Sequence, residues 1–200
     1  MKLFIKLFKN LFGYYYYNKI KNILLSKKIN EDSVELINTR KLFYSQFVKS
    51  GDLCFDVGAN IGNRVQPLLM LNAKVVAVEP QISCQKILKS KYGNKIILIN
   101  EGLGEKEGIE EFYISDASTI SSFSKEWIDS VKLGRFKEYS WKIKKEVRMT
   151  TLDILIHRYG IPAFIKIDVE GHELEVLKGL TKSVNMISYE YCVPEHIQKA

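Results

Sequence analysis

Residues 53–63 read Leu-Cys-Phe-Asp-Val-Gly-Ala-Asn-Ile-Gly-Asn, a short apolar run that ends in a turn with two glycines. The run at 53–57 predicts a buried strand, and Gly58 and Gly62 predict a tight turn that leads into a helix. Glycine lets a backbone approach a ligand closely, and a helix start offers unpaired N–H groups to a carboxylate or phosphate. This stretch therefore predicts a ligand site where the strand ends.

Four further apolar runs extend the same pattern along the chain, and none of them alternates strictly between apolar and polar residues. The runs are 74–78, 95–99, 164–169 and 186–191. The helical candidates between the runs are at about 63–73, 81–92 and 172–180. Runs without alternation are typical of strands that are buried on both faces. The expected fold class is an α/β fold with a doubly wound, mostly parallel sheet.

The glycine spacing differs from the pattern that binds dinucleotides. That pattern, Gly-x-Gly-x-x-Gly, needs a second glycine where this chain has Asn60, which disfavours close approach of a pyrophosphate. Glu79 closes the second predicted strand, where an acid binds the hydroxyls of a ribose. The two features favour a nucleoside ligand and disfavour a nicotinamide-dependent oxidoreductase.

Residues 104–150 interrupt the alternation of strands and helices. They contain an alternating segment at 110–114, a serine-rich loop at 118–124 and a polar aromatic stretch from Trp127 to Trp141. An insertion between the third and fourth main strands emerges at the carboxyl end of the sheet, where open α/β folds bind ligands. We therefore expect this insertion to border the ligand site.

The net charge of the chain is concentrated at its beginning. Residues 1–30 hold seven lysines and no acidic residue, and the rest of the chain is balanced, so the formal net charge of +7 belongs to this segment. Residues 1–12 place apolar side chains at helical spacing opposite their lysines. We divide the chain into a basic amphipathic helical arm at 1–30 and a domain at 31–200.

Two locations remain open for this arm. It either makes peripheral contact with a membrane surface or packs on the domain itself. Nucleic acid is not an expected partner, because the domain carries no excess positive charge and no nucleic-acid-binding motif.

Cysteines and hydropathy indicate the compartment. Cys54, Cys84 and Cys192 are odd in number and lack metal-binding spacing, so we expect buried thiols rather than disulfides or a zinc site. Lys6 interrupts the first apolar run, and no stretch is long enough to predict a membrane span. These features predict a cytoplasmic protein, with the arm at the inner membrane surface if it binds lipid.

Longer motifs make the sequence similar to a known family over residues 50–195. The motifs are FDVGANIGN at 55–63, VVAVEPQ at 75–81, Ala117-Ser118-Thr119 with Ser121-Ser122, Glu126-Trp127-Ile128, Gly134-Arg135-Phe136, Thr150-Thr151-Leu152-Asp153, FIKIDVEGHELEVLKGL at 164–180 and ISYEY at 187–191. They resemble the FkbM-type family of S-adenosylmethionine-dependent methyltransferases. The resemblance implies a class I methyltransferase fold, S-adenosyl-L-methionine as cofactor, and O-methylation of a hydroxyl on a sugar, glycan or natural-product acceptor.

The resemblance also implies a donor site. The turn at 56–63 would hold the methionine part of the donor, Glu79 the ribose, and the loop at 100–103 the adenine. The residues assigned to donor binding are Asp56, Gly58, Ala59, Asn60, Gly62, Asn63, Glu79, Pro80, Gly102 and Leu103.

The segment at 168–173 holds three carboxylates and a histidine. Methyl transfer to a hydroxyl needs positioning and a base for the proton, and we assign Asp168, Glu170 and His172 as catalytic candidates. Glu170 or His172 would be the base. A divalent cation site and ordinary helix-start carboxylates remain alternatives, and we assign no metal ligands.

A complete class I sheet adds two strands after the fifth, and this sequence stops at Ala200. We therefore expect the last two strands to be missing and the exposed sheet edge to weaken catalytic competence. The alternative function is a membrane-associated, catalytically degenerate binding module of the same fold.

Overall fold

The computed structural model describes residues 34–191. The arm at 1–30, Cys192 and the end of the chain lie outside the described residues. The strands in chain order are β1 (Leu53–Val57), β2 (Lys74–Val78), β3 (Ile96–Ile99), β4 (Gly102–Leu103), β5 (Gly108–Ile114), β6 (Ile143–Thr150), β7 (Phe164–Ile167) and β8 (Ile187–Tyr189). The α-helices are α1 (34–44), α2 (Val65–Leu69), α3 (Ile82–Tyr92), α4 (Lys125–Lys132), α5 (Leu152–Tyr159) and α6 (Glu173–Lys178).

The main sheet is parallel throughout and has the strand order β3-β2-β1-β7-β8. The order reverses between β1 and β7, because the chain adds β2 and β3 on one side and then returns to the other side. This order confirms the predicted Rossmann-like α/β fold. The reversal creates a crevice at the carboxyl ends of these two strands, where such folds bind ligands.

Two hydrophobic clusters cover the two faces of the sheet. Successive residues of a strand point to opposite faces, so Cys54 and Val75 pack with α1, α2 and α3, whereas Phe55 and Val76 pack with α5 and α6. Burial on both faces explains why β1, β2 and β7 are apolar without alternation. This burial also fixes the register of the strands, because a shift of β1 by one residue would move all of its side chains, including that of Asp56, to the opposite face of the sheet. The run at 186–191 differs from the prediction, because its strand is limited to Ile187–Tyr189 and Ser188 and Tyr189 are exposed.

The predicted helix at 63–73 is shorter in the structure. Asn72 has a φ of 58°, a left-handed conformation that ends a helix, and the helix itself covers only Val65–Leu69. Similarly, the strand predicted at 164–169 ends at Ile167, because Asp168 begins the loop that follows. The patterns located the centres of these elements better than their ends.

The insertion, together with the short strand β4 that precedes it, forms a small sheet with its own core. Its strand order is β4-β6-β5, and β5 and β6 form a long antiparallel pair from Gly108 opposite Met149 to Ile114 opposite Ile143. The core below this sheet consists of Ile120, Trp127, Ile128, Val131 and Trp141. The Ser124 hydroxyl caps α4 by accepting a hydrogen bond from the backbone N–H of Trp127 at 3.1 Å.

Two further sequence predictions concern the cysteines and membrane-spanning segments. Cys54 and Cys84 are buried free thiols, as predicted. Among the described residues, no helix is long and apolar enough to cross a membrane.

Candidate active site at the strand reversal

A cavity lies at the carboxyl ends of the main strands, beside the reversal between β1 and β7. Its walls come from the glycine turn after β1, the end of β2, the insertion, and the loop after β7. Ten of the predicted site residues line it: Gly58, Ala59, Asn60, Asn63, Glu79, Pro80, Gly102, Leu103, Asp168 and Glu170. The insertion lines it through Phe112, Ser118, Thr119, Ser121 and Phe123, in agreement with its expected position.

The glycine turn is held against the end of β2 by its own backbone. The N–H groups of Gly58 and Ala59 both donate to the carbonyl of Val78 at 3.0 Å, and the N–H of Asn60 donates to Glu79 Oε2 at 2.8 Å. The N–H groups of these three residues are therefore not available to a ligand, and the unpaired N–H groups expected at the helix start are not among them. Their hydrogen bonds stabilise the wall of the cavity.

Asp56 and Gly62 are the two predicted donor-binding residues that lie outside the cavity wall. Asp56 is completely buried within β1. A Cβ on Gly62 would lie 2.5 Å from the ring of Tyr92, whose hydroxyl donates to the Gly62 carbonyl at 3.0 Å. Gly62 thus gives α3 room to pack against the turn.

Glu79 is a buried carboxylate at the edge of the cavity. Its Oε1 accepts a hydrogen bond from the N–H of Gln81 at 2.7 Å, and its Oε2 accepts the bond from Asn60. Burial raises the pKa of Glu79 to about 7, although these backbone N–H groups oppose the shift. Each carboxylate oxygen retains a second lone pair, so the group can also accept hydrogen bonds from a ligand.

Lys166 lines the cavity and lies between two carboxylates. Its Nζ lies 2.9 Å from Asp168 Oδ2 and 3.7 Å from Asp56 Oδ1. Burial opposes ionisation of both acids and raises the pKa of Asp56, whereas the nearby ammonium group of Lys166 holds the pKa of Asp168 below its usual range. Asp168 is therefore a charged acceptor that faces the cavity.

The loop after β7 is shaped by Glu173 and by the insertion. The Glu173 carboxylate accepts hydrogen bonds from the N–H groups of Val169 at 2.9 Å and Gly171 at 3.0 Å. The Ser122 hydroxyl donates to the carbonyl of Glu170 at 2.7 Å. Glu170 has a φ of 54°, so its left-handed backbone is maintained by the contacts around it.

Glu170 belongs to a group of three carboxylates with Asp168 and Glu190, whose ligand atoms lie within 4.8 Å of one another. Burial, followed by Glu190 and Asp168, raises the pKa of Glu170 to about 8. Glu170 therefore holds its proton in neutral solution, whereas Asp168 does not. Two carboxyl groups with opposite shifts can divide the roles of proton carrier and charged acceptor.

His172, the third catalytic candidate, does not line the cavity. Its ring is buried against Phe123, with the ring centres 5.3 Å apart, and its Nε2 lies 3.9 Å from Glu110 Oε2. Asp168 and Glu170 line the cavity and His172 does not, so the geometry gives no support to the prediction of His172 as the base.

Three cations at this site were not assigned from the sequence: Arg40, Arg64 and Lys166 all line the cavity. Lys166 carried a signal, since it is a charged residue inside the apolar run FIKI. Arg40 lies on α1, a helix that was not among the sequence-predicted elements, and Arg64 directly follows the glycine turn. Nothing in the local pattern distinguishes these two arginines from ordinary surface residues.

The lining of the cavity has groups that are complementary to a nucleoside. The Glu79 carboxylate provides an acceptor for ribose hydroxyls at the end of β2, as in other sheets of this type. Apolar side chains of Val78, Leu103, Phe112 and Phe123 provide a wall for a base. S-adenosylmethionine has this combination of groups.

Two proteins with known descriptions are similar to parts of this chain. The hexuronic acid methyltransferase AglP of Haloferax volcanii is 26% identical over 143 residues, which cover 69% of this chain and 54% of that protein. This chain therefore spans about half the length of its curated relative. A solved structure of a candidate RNA methyltransferase from Pyrococcus horikoshii is 27% identical over 29% of this chain and 30% of that chain, with a TM-score of 0.27, so the fold assignment rests on the strand order.

The family comparison covers most of the described domain. A model described as the methyltransferase FkbM domain matches residues 56–198, a range that contains the glycine turn, Glu79, and the Asp168 to Glu173 loop. The match covers the greater part of the chain, and the strand order of the parallel sheet reverses beside the cavity. The chain therefore belongs to the FkbM methyltransferase family.

Proposed function

We propose that this protein transfers a methyl group from S-adenosyl-L-methionine to an oxygen atom of a sugar or glycan acceptor. The observation that carries the proposal is the buried Glu79 carboxylate, which closes β2 beside the cavity at the strand reversal. The family of the chain and the hexuronic acid in the name of its Haloferax volcanii relative support methyl transfer and a sugar acceptor.

Asp168 and Glu170 are the residues that we assign to the acceptor. When bound, S-adenosylmethionine would supply an electrophilic methyl group on a positively charged sulfur. A hydroxyl acceptor has to lose its proton, so a carboxyl group within reach assists the reaction. Asp168 is ionised beside Lys166 and can orient such a hydroxyl, and Glu170 can accept the proton once the pH approaches its pKa of about 8.

Calorimetric titration tests the donor half of this proposal. We expect S-adenosylmethionine and S-adenosylhomocysteine to bind, and NAD not to bind, because Asn60 replaces the glycine of the dinucleotide pattern. Binding of NAD with no binding of S-adenosylhomocysteine would contradict the assignment of the donor.

A labelled-methyl assay on glucuronate and glucose oligosaccharides tests the acceptor half. Label that mild alkali removes indicates a methyl ester on a carboxylate, and label that resists alkali indicates an ether on a hydroxyl. Normal donor binding without transfer to any sugar would instead favour the binding module.

The arm at 1–30 carries a separate proposal, which rests on its sequence alone. Seven lysines and an apolar stripe would hold the protein at an anionic membrane surface, with about 1 kcal/mol from each lysine near the bilayer. Flotation with anionic vesicles at low and high salt, with and without residues 1–30, tests this role. A deletion that leaves lipid binding unchanged would contradict it.

A further inference from the structure

A groove adjoins the cavity on the side of α1. Helix α1 forms one wall, and the ends of β7 and β8 form the other. The groove and the cavity share Arg40, Arg64, Lys166 and Asp168, so these side chains lie at the junction of the two spaces. A ligand in the cavity and one in the groove would both reach this junction.

The charges at the junction are unevenly matched. Lys166 is paired with Asp168 and lies near Asp56, so one ammonium group serves two carboxyl groups. Within residues 34–191, by contrast, neither Arg40 nor Arg64 forms an ion pair with a carboxylate. Two guanidinium groups thus face the junction without an ion-pair contact to a carboxylate in the described part of the chain, although the charge of Arg64 favours ionisation of the nearby Asp56 and Asp168.

Arg40 is held in place with part of its hydrogen-bonding capacity unused. Its Nη1 donates to the carbonyl of Asn63 at 3.2 Å, which anchors the side chain to the glycine turn. Its Nε is buried and has no hydrogen-bond partner among the described residues. Burial, followed by the neighbouring charge of Arg64, lowers the pKa of Arg40. An anion placed between the two guanidinium groups would oppose this shift.

A carboxylate would satisfy both arginines. The planar guanidinium group matches the two oxygens of a carboxylate, and such charge-assisted hydrogen bonds are stronger than neutral ones. The glycine turn is a poorer partner for a ligand carboxylate than the arginines, because the N–H groups of Gly58, Ala59 and Asn60 already form hydrogen bonds within the protein.

We propose that Arg40 and Arg64 together bind a carboxylate of the ligand at the junction of the cavity and the groove. This inference rests on the proposed function. In that function, two groups could supply the carboxylate. One is the methionine part of the donor, and the other is the acid group of an acceptor such as a hexuronate. Arg40 lies before residue 56, where the family match begins, so this site is specified in part by α1.

The experiment consists of two series of titrations, called the donor arm and the acceptor arm, and each series compares a ligand that carries a carboxylate with a ligand that does not. The donor arm titrates S-adenosylhomocysteine and 5′-methylthioadenosine, a nucleoside without the carboxylate, into wild-type protein, Arg40→Gln and Arg64→Gln. The acceptor arm titrates glucuronate and glucose in the presence of saturating S-adenosylhomocysteine. We expect each variant to weaken binding of the acidic member of one pair by about tenfold or more, with little change for its neutral member.

The arm that responds identifies the source of the carboxylate. Arg158→Gln is the matched control, because Arg158 is an exposed arginine in the last turn of α5 and should leave both arms unchanged. Arg64→Lys should recover part of the lost affinity, since it keeps the charge but loses the planar fork.

Three outcomes would overturn the inference. Changes below about twofold in both arms would do so, as would equal weakening of acidic and neutral ligands, which indicates general damage. Recovery no better in Arg64→Lys than in Arg64→Gln would also contradict it. Wild-type protein that binds neither nucleoside contradicts the proposed function itself, whereas normal nucleoside binding with unresponsive arginines contradicts only this site.

Discussion

Gly58 packs directly on the backbone carbonyl of Asp168, so that a Cβ on residue 58 would overlap that oxygen. The contact joins the turn after β1 to the loop after β7, the two segments on either side of the strand reversal. Gly58 also has a φ of 77°, which disfavours other residues. This position therefore needs glycine for both space and backbone conformation.

We predict that Gly58→Ala destabilises the protein by at least about 2 kcal/mol more than Gly51→Ala and weakens binding of S-adenosylhomocysteine. Gly51 is the matched control, because its φ is 88° and a Cβ there meets nothing within 4 Å. Its substitution should cost only the backbone strain, about 1 kcal/mol. Urea unfolding of both variants measures the difference, and equal losses would contradict the role of the contact.

Donor affinity should depend on pH through Glu79. The pKa of Glu79 is about 7, so its carboxyl is protonated at lower pH and becomes a better acceptor for ribose hydroxyls as the pH rises. We expect 5′-methylthioadenosine to bind about three- to tenfold more tightly at about pH 8 than at about pH 6. Glu79→Gln should bind weakly at both values, and a wild-type affinity that does not change with pH would exclude this role.

Removing the Lys166 ammonium group between Asp56 and Asp168 should lower the free energy of unfolding. We predict that Lys166→Met destabilises the protein by about 3–5 kcal/mol, because it removes the cation that is in ion-pair contact with the completely buried Asp56. The double variant Asp56→Asn with Lys166→Met should recover part of this loss. Lys178→Met breaks an exposed pair with Glu175 and should cost less than about 1 kcal/mol. A Lys166→Met loss as small as that of the control would be inconsistent with a buried pair.

Glu170 should titrate near pH 8. Its raised pKa means that the folded protein keeps this proton longer than the unfolded chain, so stability decreases as the pH rises from the ordinary value of 4.5 to about 8. Glu170→Gln should remove this part of the pH dependence. Carbon-detected NMR of the carboxyl group should also show a lower pKa in Glu190→Gln, which removes a neighbouring acid. An ordinary Glu170 pKa in the wild-type protein would contradict the prediction.

His172 should matter for stability rather than for donor binding. Its buried ring packs on Phe123, so we expect His172→Gln to cost about 1–3 kcal/mol of unfolding free energy. Because His172 does not line the cavity, affinity for S-adenosylhomocysteine should change by less than about twofold. Loss of donor binding in a His172→Gln variant that remains folded would contradict this prediction and assign His172 to the donor site.

Local features of the sequence determined much of the sheet and part of the site. The apolar runs at β1, β2, β3 and β7 were recognisable because burial on both faces removes polar residues from a strand. Gly58 and Glu79 were recognisable because each directly follows or closes such a strand. The carboxyl ends of parallel strands meet at one edge, so strand-end residues can be assigned to a site without knowledge of distances.

Long-range packing decided the remaining features. Asp56 and Lys166 are 110 positions apart in the chain and become neighbours only because β1 pairs with β7. Arg40 meets the glycine turn because α1 packs on the sheet, and the His172 ring packs on Phe123 without lining the cavity itself. Gly62, similar to Gly58 in the sequence, faces Tyr92 instead of a ligand. Each of these outcomes depends on which surfaces come together in three dimensions, and the local residue pattern does not contain that information.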